Sequence, residues 1–161
     1  MKERILIVDD ERSIREMLRL TLEYEGYAVD DADSGNAALR LLQSTLPDAV
    51  LLDVKMSGLD GIETLERIKE MEPALPVIIL TGHGSFETAV EATKKGAFDF
   101  LAKPPDRDKI LITLRNALLQ TKLVRENLQM REEIEGTDLI LGRSKAVTDM
   151  LSTIERVAPT E

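Results

Sequence analysis

Four short apolar runs in this chain each end at a polar side chain that can take part in chemistry. Runs of this kind, rich in Val, Ile and Leu, are typical of parallel strands that are buried on both faces of a sheet. The carboxyl ends of such strands meet at one edge of the sheet, and that edge borders the ligand crevice of open α/β folds. The four junctions are 5–8 before Asp9 and Asp10, 49–52 before Asp53, 77–80 before Thr81, and 98–102 before Lys103.

Helical segments separate these runs in a regular order. The first carries Ile14 and Leu18 at helical spacing, begins where Ser13 is placed to cap it, and ends at Gly26. A further strand is expected at 27–29, which completes five strand-helix repeats. Repeated β-α units favour a parallel sheet with helices on both faces and right-handed crossovers. The expected fold is therefore α/β, a five-stranded parallel sheet with flavodoxin-like (βα)5 order.

The last helix is expected to be unusually long. Pro104 and Pro105 are placed to open it, since first-turn amides need no partner, and nothing breaks the chain from Asp106 until Gly136. Globular helices usually span roughly 8 to 20 residues, so residues 121–137 are expected to form a linker. Two stripes compete along it, one through Leu114, Ala117, Thr121, Val124 and Leu128, which Arg131 interrupts, and one through Leu119, Leu123, Met130 and Ile134. The first fits a heptad seam and predicts a dimeric coiled coil; a solvated helical linker is the alternative.

Composition excludes several classes of function. The net charge of −9 argues against a broad basic surface, so no DNA contact is expected from this region. The chain has no cysteine, which excludes disulfides and thiolate metal sites and suits a cytoplasmic protein. No apolar stretch is long enough to span a bilayer, and residues 1–4 lead directly into the first apolar run, so neither membrane insertion nor secretion is expected.

The polar residues at the strand ends suggest a metal and a phosphoryl group. The carboxylates of Asp9, Asp10 and Asp53 would repel one another unless a cation intervenes, and Mg²⁺ prefers such oxygen ligands. An aspartate is a competent nucleophile for phosphoryl groups, while Lys103 and Thr81 can contact phosphoryl oxygens. Each residue alone also has a plainer role, such as a helix cap or a turn, but their joint placement after four strands favours the site.

Residues 2 to about 120 resemble the receiver domain of a two-component response regulator. The matching positions are the acidic pair Asp9-Asp10, the phospho-acceptor Asp53, the switch hydroxyl Thr81, and Lys103 followed by Pro104. The resemblance implies that Asp53 accepts a phosphoryl group from a sensor histidine kinase. It also implies that Asp10, Asp53 and the backbone carbonyl of Lys55 bind Mg²⁺, with Asp9 acting largely through water.

The same resemblance implies a switching mechanism. Charge on Asp53 would draw Thr81 inward and Phe100 would follow, which would change dimerisation through the face made by the fourth helix, fifth strand and fifth helix. From its own pattern alone, Phe100 is expected to be a core residue. His83 is the only histidine, and it is expected to be a turn residue rather than a phosphohistidine.

Residues 138–161 are similar to the opening of the AAA+ domain of sigma-54-dependent activators of the nitrogen-regulator type. The residues that carry this similarity are Leu139 to Ser144, then Met150, Ile154, Arg156 to Ala158, and Thr160. The phosphate-loop pattern of two glycines followed by Lys and Ser or Thr does not occur in this chain, so no ATP hydrolysis is expected. The chain is thus interpreted as a receiver (1–120), a linker (121–137) and the start of an AAA+ domain (138–161), which in the full-length protein controls sigma-54-dependent transcription. It is not expected to be an enzyme beyond phosphorylation and dephosphorylation at Asp53.

Two other functions are compatible with part of this pattern. A Mg²⁺-dependent phosphohydrolase acting through an aspartyl phosphate also uses clustered aspartates and a lysine, but it usually needs a second acid-base carboxylate near the nucleophile. The residue two positions beyond Asp53 is Lys55, which is not an acid. A flavin- or nucleotide-binding module would need a glycine-rich loop at 9–12, where this chain is acidic.

Overall fold

Strands and helices alternate strictly along the chain. The computed structural model describes residues 2–56, 60–82 and 86–140, with side chains described through 127 and at 130. The elements in chain order are β1 Arg4–Val8, α1 Arg12–Tyr24, β2 Ala28–Ala32, α2 Gly35–Ser44, β3 Ala49–Asp53, α3 Gly61–Met71, β4 Val77–Thr81, α4 Phe86–Lys94, β5 Asp99–Ala102 and α5 Arg107–Ile140. The five strands form one parallel sheet in the order β2-β1-β3-β4-β5. The expected flavodoxin-like (βα)5 fold is confirmed.

Two apolar clusters lie on opposite faces of the sheet. Along β1, Ile5 and Ile7 pack into the cluster that contains residues of α1 and α5. Leu6 and Val8 alternate with them and pack into the cluster that contains residues of α2, α3 and α4. Each fully buried Val, Leu or Ile contributes about 1.5–3 kcal/mol. Burial on both faces explains why β1, β3 and β4 are continuous apolar runs rather than alternating ones.

Glycines shape three junctions of the fold. Gly26 and Gly96 follow α1 and α4 with φ of +95° and +103°, a left-handed conformation that glycine adopts without strain. Gly61 begins α3 directly against the end of β3, where a Cβ would lie 2.3 Å from the carbonyl oxygen of Asp53 and 2.5 Å from Val54 Cα. The close approach of α3 to the end of β3 therefore requires a residue without a side chain.

Two expected helix starts were wrong. Ser13 does not cap α1, because the helix begins at Arg12 and the N-cap position is Glu11, whose side chain makes no capping bond. Pro104 and Pro105 precede α5, which begins at Arg107. Pro104 is itself followed by a proline, and a residue in that position is disfavoured in the helical conformation. The first hydrogen bond of the helix is instead accepted by the carbonyl of Asp106, from the amide of Ile110 at 2.9 Å.

The long last helix is observed, but it differs from expectation in two ways. It continues through Gly136 to Ile140, past the expected break. Leu114, Ala117 and Thr121, the first part of the expected heptad seam, are buried. By contrast, Leu119 and Leu123 of the competing stripe are 55% and 52% exposed. The first stripe is thus buried up to Thr121, but its next member, Val124, is 41% exposed.

The chain divides into two units, Met1–Thr121 and Lys122–Glu161. The expected domain limits at 120 and 137 stay predictions. Several expectations concern residues outside the described part of the chain, namely the turn at His83 and the AAA+-like segment beyond residue 140. Within the described residues, no helix has the length and apolar character needed to cross a membrane.

Candidate functional site

The site lies at the carboxyl edge of the sheet, where four strands end side by side. In the parallel register Val8 pairs with Leu52, Asp53 with Leu80, and Thr81 with Ala102. Because adjacent strands end at nearly the same level, the residues that follow them are brought to one edge. The sequence-predicted residues placed there are Asp9, Asp10, Asp53, Thr81 and Lys103.

Three carboxylates form a compact cluster at this edge. Asp9, Asp10 and Asp53 each offer a carboxylate oxygen within 4.8 Å of the others. Asp9 and Asp53 are buried, whereas Asp10 is exposed. Two of the three carboxylates are thus shielded from solvent, and the cluster is accessible to solvent at Asp10.

Lys103 bridges the two buried carboxylates. Its Nζ lies 2.8 Å from Oδ2 of Asp9 and 3.1 Å from Oδ2 of Asp53. The other oxygen of each carboxylate is held by the backbone two residues later, since the amide of Glu11 donates to Asp9 Oδ1 at 2.9 Å and that of Lys55 donates to Asp53 Oδ1 at 3.2 Å. These turns fix the direction in which both carboxylates point.

The cluster fits a hard divalent cation. Among the described residues, nothing donates a hydrogen bond of regular geometry to the buried Oδ2 of Asp9, whose contact with Lys103 is an ion pair by distance. The cluster has three carboxylates, and the one ammonium group of Lys103 contacts only two of them, which leaves excess negative charge. An all-oxygen donor set with an incompletely satisfied buried oxygen is the kind of site that Mg²⁺ occupies in proteins.

The protonation equilibria of the site reflect burial and charge. Burial raises the pKa of Asp53, and the neighbouring charge of Asp9 raises it further. Lys103 and the Lys55 amide lower it, but the net effect is a pKa above the usual value. Burial alone would lower the pKa of Lys103, but its contacts with Asp9 and Asp53 outweigh that effect and raise the pKa. A second cation would stabilise the ionised carboxylates further.

Thr81 and Phe100 have different environments. Thr81 is buried, and its hydroxyl donates to the carbonyl oxygen of Leu101 at 3.4 Å. Phe100 is 43% exposed, so the expectation that it is a core residue is wrong. The physical reason is that β5 is an edge strand, in which only Leu101 is buried.

Two residues next to the site were not found from the sequence. Arg15 in α1 donates from Nη1 to the backbone carbonyl of Asp9 at 2.8 Å. Its partner is a backbone atom, so the sequence carries no complementary residue that could have indicated the contact. Asp60 caps α3 by accepting from the amide of Glu63 at 2.8 Å, and the acidic residue three positions after a capping residue was an available signal for that helix start.

The open parallel sheet defines a flavodoxin-like α/β domain. The side chains at its carboxyl edge form an acidic crevice suited to a divalent cation. Residues 5–115 match the response regulator receiver domain family. The chain therefore belongs to the response regulator receiver family, a class of signalling domain, and the family inferred from its sequence is confirmed.

Relatives of this chain include named regulators and solved receiver domains. The nitrogen assimilation regulatory protein NtrX of Azorhizobium caulinodans is 37% identical over 162 residues, which cover 99% of this chain and 36% of that protein. The transcriptional regulatory protein ZraR of Escherichia coli O157:H7 is 43% identical over 157 residues, covering 98% and 35%. A crystal structure of a response regulator receiver domain protein from Clostridium thermocellum superposes with a TM-score of 0.74 at 38% identity, covering 76% of this chain and 98% of that one. The chain spans about a third of the length of these curated relatives.

Proposed function

We propose that Asp53 accepts a phosphoryl group from the phosphohistidine of a sensor histidine kinase in a Mg²⁺-dependent reaction. The observation that carries this proposal is the cluster of three carboxylates within 4.8 Å of one another, two of which are bridged by Lys103. Membership of the receiver family supports it.

Asp9, Asp10, Asp53 and the backbone carbonyl of Lys55 are the groups that would hold the ion. When bound, Mg²⁺ neutralises charge on phosphoryl oxygens as it builds up during transfer. Asp10 is the exposed member of the cluster, so its carboxylate remains available to an ion arriving from solvent. Asp9 is buried and acts on the ion largely through water.

In the transfer step, a carboxylate oxygen of Asp53 attacks the phosphorus of the phosphohistidine. A P–O bond forms, the P–N bond breaks with its electron pair going to the departing imidazole, and an acyl phosphate remains on Asp53. Lys103 already lies 3.1 Å from Asp53 Oδ2, so its ammonium is close enough to pair with the new phosphoryl oxygens. The backbone amide of Lys55 keeps the other carboxylate oxygen oriented.

The acyl phosphate then acts as a switch. Its oxygens offer the Thr81 hydroxyl a stronger acceptor than the Leu101 carbonyl, with which it now makes a long bond of 3.4 Å. Phe100, which is only partly buried, follows Thr81 and shifts a pre-existing equilibrium at the face made by α4, β5 and α5. Exposed apolar side chains on that face suit a homodimer, namely Val90, Phe100, Ile112 and Leu119.

In the full-length protein this switch would control a further domain. We propose a receiver over 1–120, a helical linker over 121–137, and the start of an AAA+ domain from 138, whose assembly would regulate sigma-54-dependent transcription in the cytoplasm. The similarity to NtrX and ZraR over nearly the whole chain supports this arrangement.

The test is to incubate the chain with Mg²⁺ and a small phosphodonor, and to measure intact mass and oligomeric state together. We expect a mass gain of one phosphoryl group that is absent in Asp53→Asn. The matched control is Asp33→Asn, which makes the same change at an exposed aspartate just after β2 and should label like the natural sequence. No adduct under conditions that label another receiver overturns the proposal, and sustained turnover of phosphate esters favours a phosphohydrolase instead.

A further inference from the structure

Asp9 is held by its backbone as well as by its carboxylate. Its amide donates to the carbonyl of Ala32 in β2 at 3.1 Å, and its own carbonyl accepts from Nη1 of Arg15 at 2.8 Å. The second bond fixes the plane of the peptide that joins Asp9 to Asp10. That plane sets the directions in which the side chains of both aspartates leave the chain.

Arg15 is itself held in place from its other side. Its side chain is only 16% exposed, and its Nε lies 3.9 Å from Oδ2 of Asp31 in β2. Asp31 is paired in turn with Nη2 of Arg19 at 3.3 Å, and Nη1 of Arg19 donates to the carbonyl of Val29 at 2.9 Å. Because a guanidinium group is planar and rigid, this support aims Nη1 of Arg15 at the Asp9 carbonyl.

The start of α1 has no side-chain cap that would add to these bonds. The N-cap residue Glu11 makes no side-chain capping bond, so the turn between β1 and α1 is not anchored to the first helical amides in the usual way. The Arg15 side chain provides a direct bond from the helix back to that turn.

We propose that Arg15 is a positioning residue for the cation site: it holds the Asp9–Asp10 peptide in the orientation that lets the two carboxylates share one ion. This inference rests on the proposed Mg²⁺ site. Residues that orient metal ligands typically change metal affinity by 10- to 100-fold when they are replaced. The sign of the effect is diagnostic, because a positive charge near the site repels Mg²⁺. Loss of charge alone would tighten binding, whereas loss of positioning weakens it.

The experiment is calorimetric titration of Mg²⁺ alone into the full chain, well below its melting temperature. Four variants separate charge from geometry. Arg15→Met removes both the positive charge and the hydrogen bond to the Asp9 carbonyl. Arg15→Lys keeps the charge but loses the planar, rigid guanidinium group. Arg12→Met and Arg12→Lys make the same changes one turn earlier in α1, at a side chain that is 83% exposed. We expect Kd to rise about tenfold in Arg15→Met and measurably in Arg15→Lys, with Kd unchanged or lowered in both Arg12 variants.

Melting temperatures in EDTA distinguish positioning from a purely structural role. If the Arg15 variants lower the melting temperature without changing Kd, the positioning role is overturned. If Arg15→Met does not fold, Arg15→Lys decides the question by the same comparison with Arg12→Lys. If the natural sequence itself binds no Mg²⁺, the proposed cation site is overturned, and the role of Arg15 with it. If the natural sequence binds Mg²⁺ and the Arg15 variants bind it equally well, only the role of Arg15 is overturned.

Discussion

Lys103 offsets two negative charges that the fold has almost entirely removed from water. Asp9 and Asp53 are buried, and both lie within 3.1 Å of its ammonium group. Removing one partner of a buried ion pair typically costs about 3–5 kcal/mol, because the remaining charge is left uncompensated. We therefore expect Lys103→Met to lower the free energy of unfolding in EDTA by about 3 kcal/mol, measured by chemical denaturation.

A matched control for this prediction is Lys95→Met, which also removes a lysine from an ion pair. The pair of Lys95 with Glu66 lies at the surface, where water already solvates both charges, so we expect a far smaller loss than at Lys103. Equal losses in the two variants would contradict the view that burial makes the Lys103 contacts important. Added Mg²⁺ should restore part of the stability of Lys103→Met, because the ion replaces the missing positive charge.

The positions of the acidic residues could be anticipated because they depend on chain order alone. Asp9 and Asp53 follow apolar runs, and parallel strands bring such positions to one edge. The environment of Phe100 could not be anticipated in this way. Its exposure depends on the place of β5 at the edge of the sheet, which is a property of strand order in space rather than of local pattern.

At the scale of single elements, helix starts provide a test of local stability. Ser34 precedes α2 and accepts a hydrogen bond from the amide of Ala37 at 3.1 Å. Replacing a capping serine by alanine typically costs about 1 kcal/mol, and we expect Ser34→Ala to lower the free energy of unfolding by that amount in a denaturant titration.

Ser13→Ala is the matched control, with the opposite expected sign. Ser13 is exposed and lies inside the first turn of α1, where alanine is the better helix former by a few tenths of a kcal/mol. Stability should therefore be unchanged or slightly higher. A loss at Ser13 as large as that at Ser34 would mean that Ser13 caps α1 after all.

The number and type of elements followed from periodicity, but their ends did not. The start of α5 was misplaced because Pro104 and Pro105 are compatible with a first helical turn and also with the extended chain that precedes Asp106. The continuation of α5 through Gly136 was missed for a related reason: glycine lowers helix stability by about 1 kcal/mol and does not forbid the helix. Such choices depend on small energies that local sequence does not resolve.

At the scale of the whole molecule, α5 changes character along its length. Up to Thr121 it contributes buried side chains to the domain, and Leu114 and Ala117 are completely inaccessible to solvent. Residues 122–127 are all exposed. The match to the receiver family ends at residue 115, before Ala117, Leu118 and Thr121, which are also buried.

The change from buried to exposed side chains after Thr121 predicts how far the receiver can be truncated from its C-terminal side. A chain that ends at Asn127 loses no described buried side chain, so its free energy of unfolding should equal that of the full chain within about 0.5 kcal/mol. A chain that ends at Arg115 loses Ala117 and Leu118 from the core, and burial of the leucine alone is worth about 1.5–3 kcal/mol. Against a typical total of about 5–15 kcal/mol, that loss should be obvious as a lower denaturation midpoint. If the chain ending at Asn127 were destabilised as much as the shorter one, residues beyond 127 would have to contribute to the stability of the receiver, and the linker could not be treated as an appendage that is free to respond to the switch.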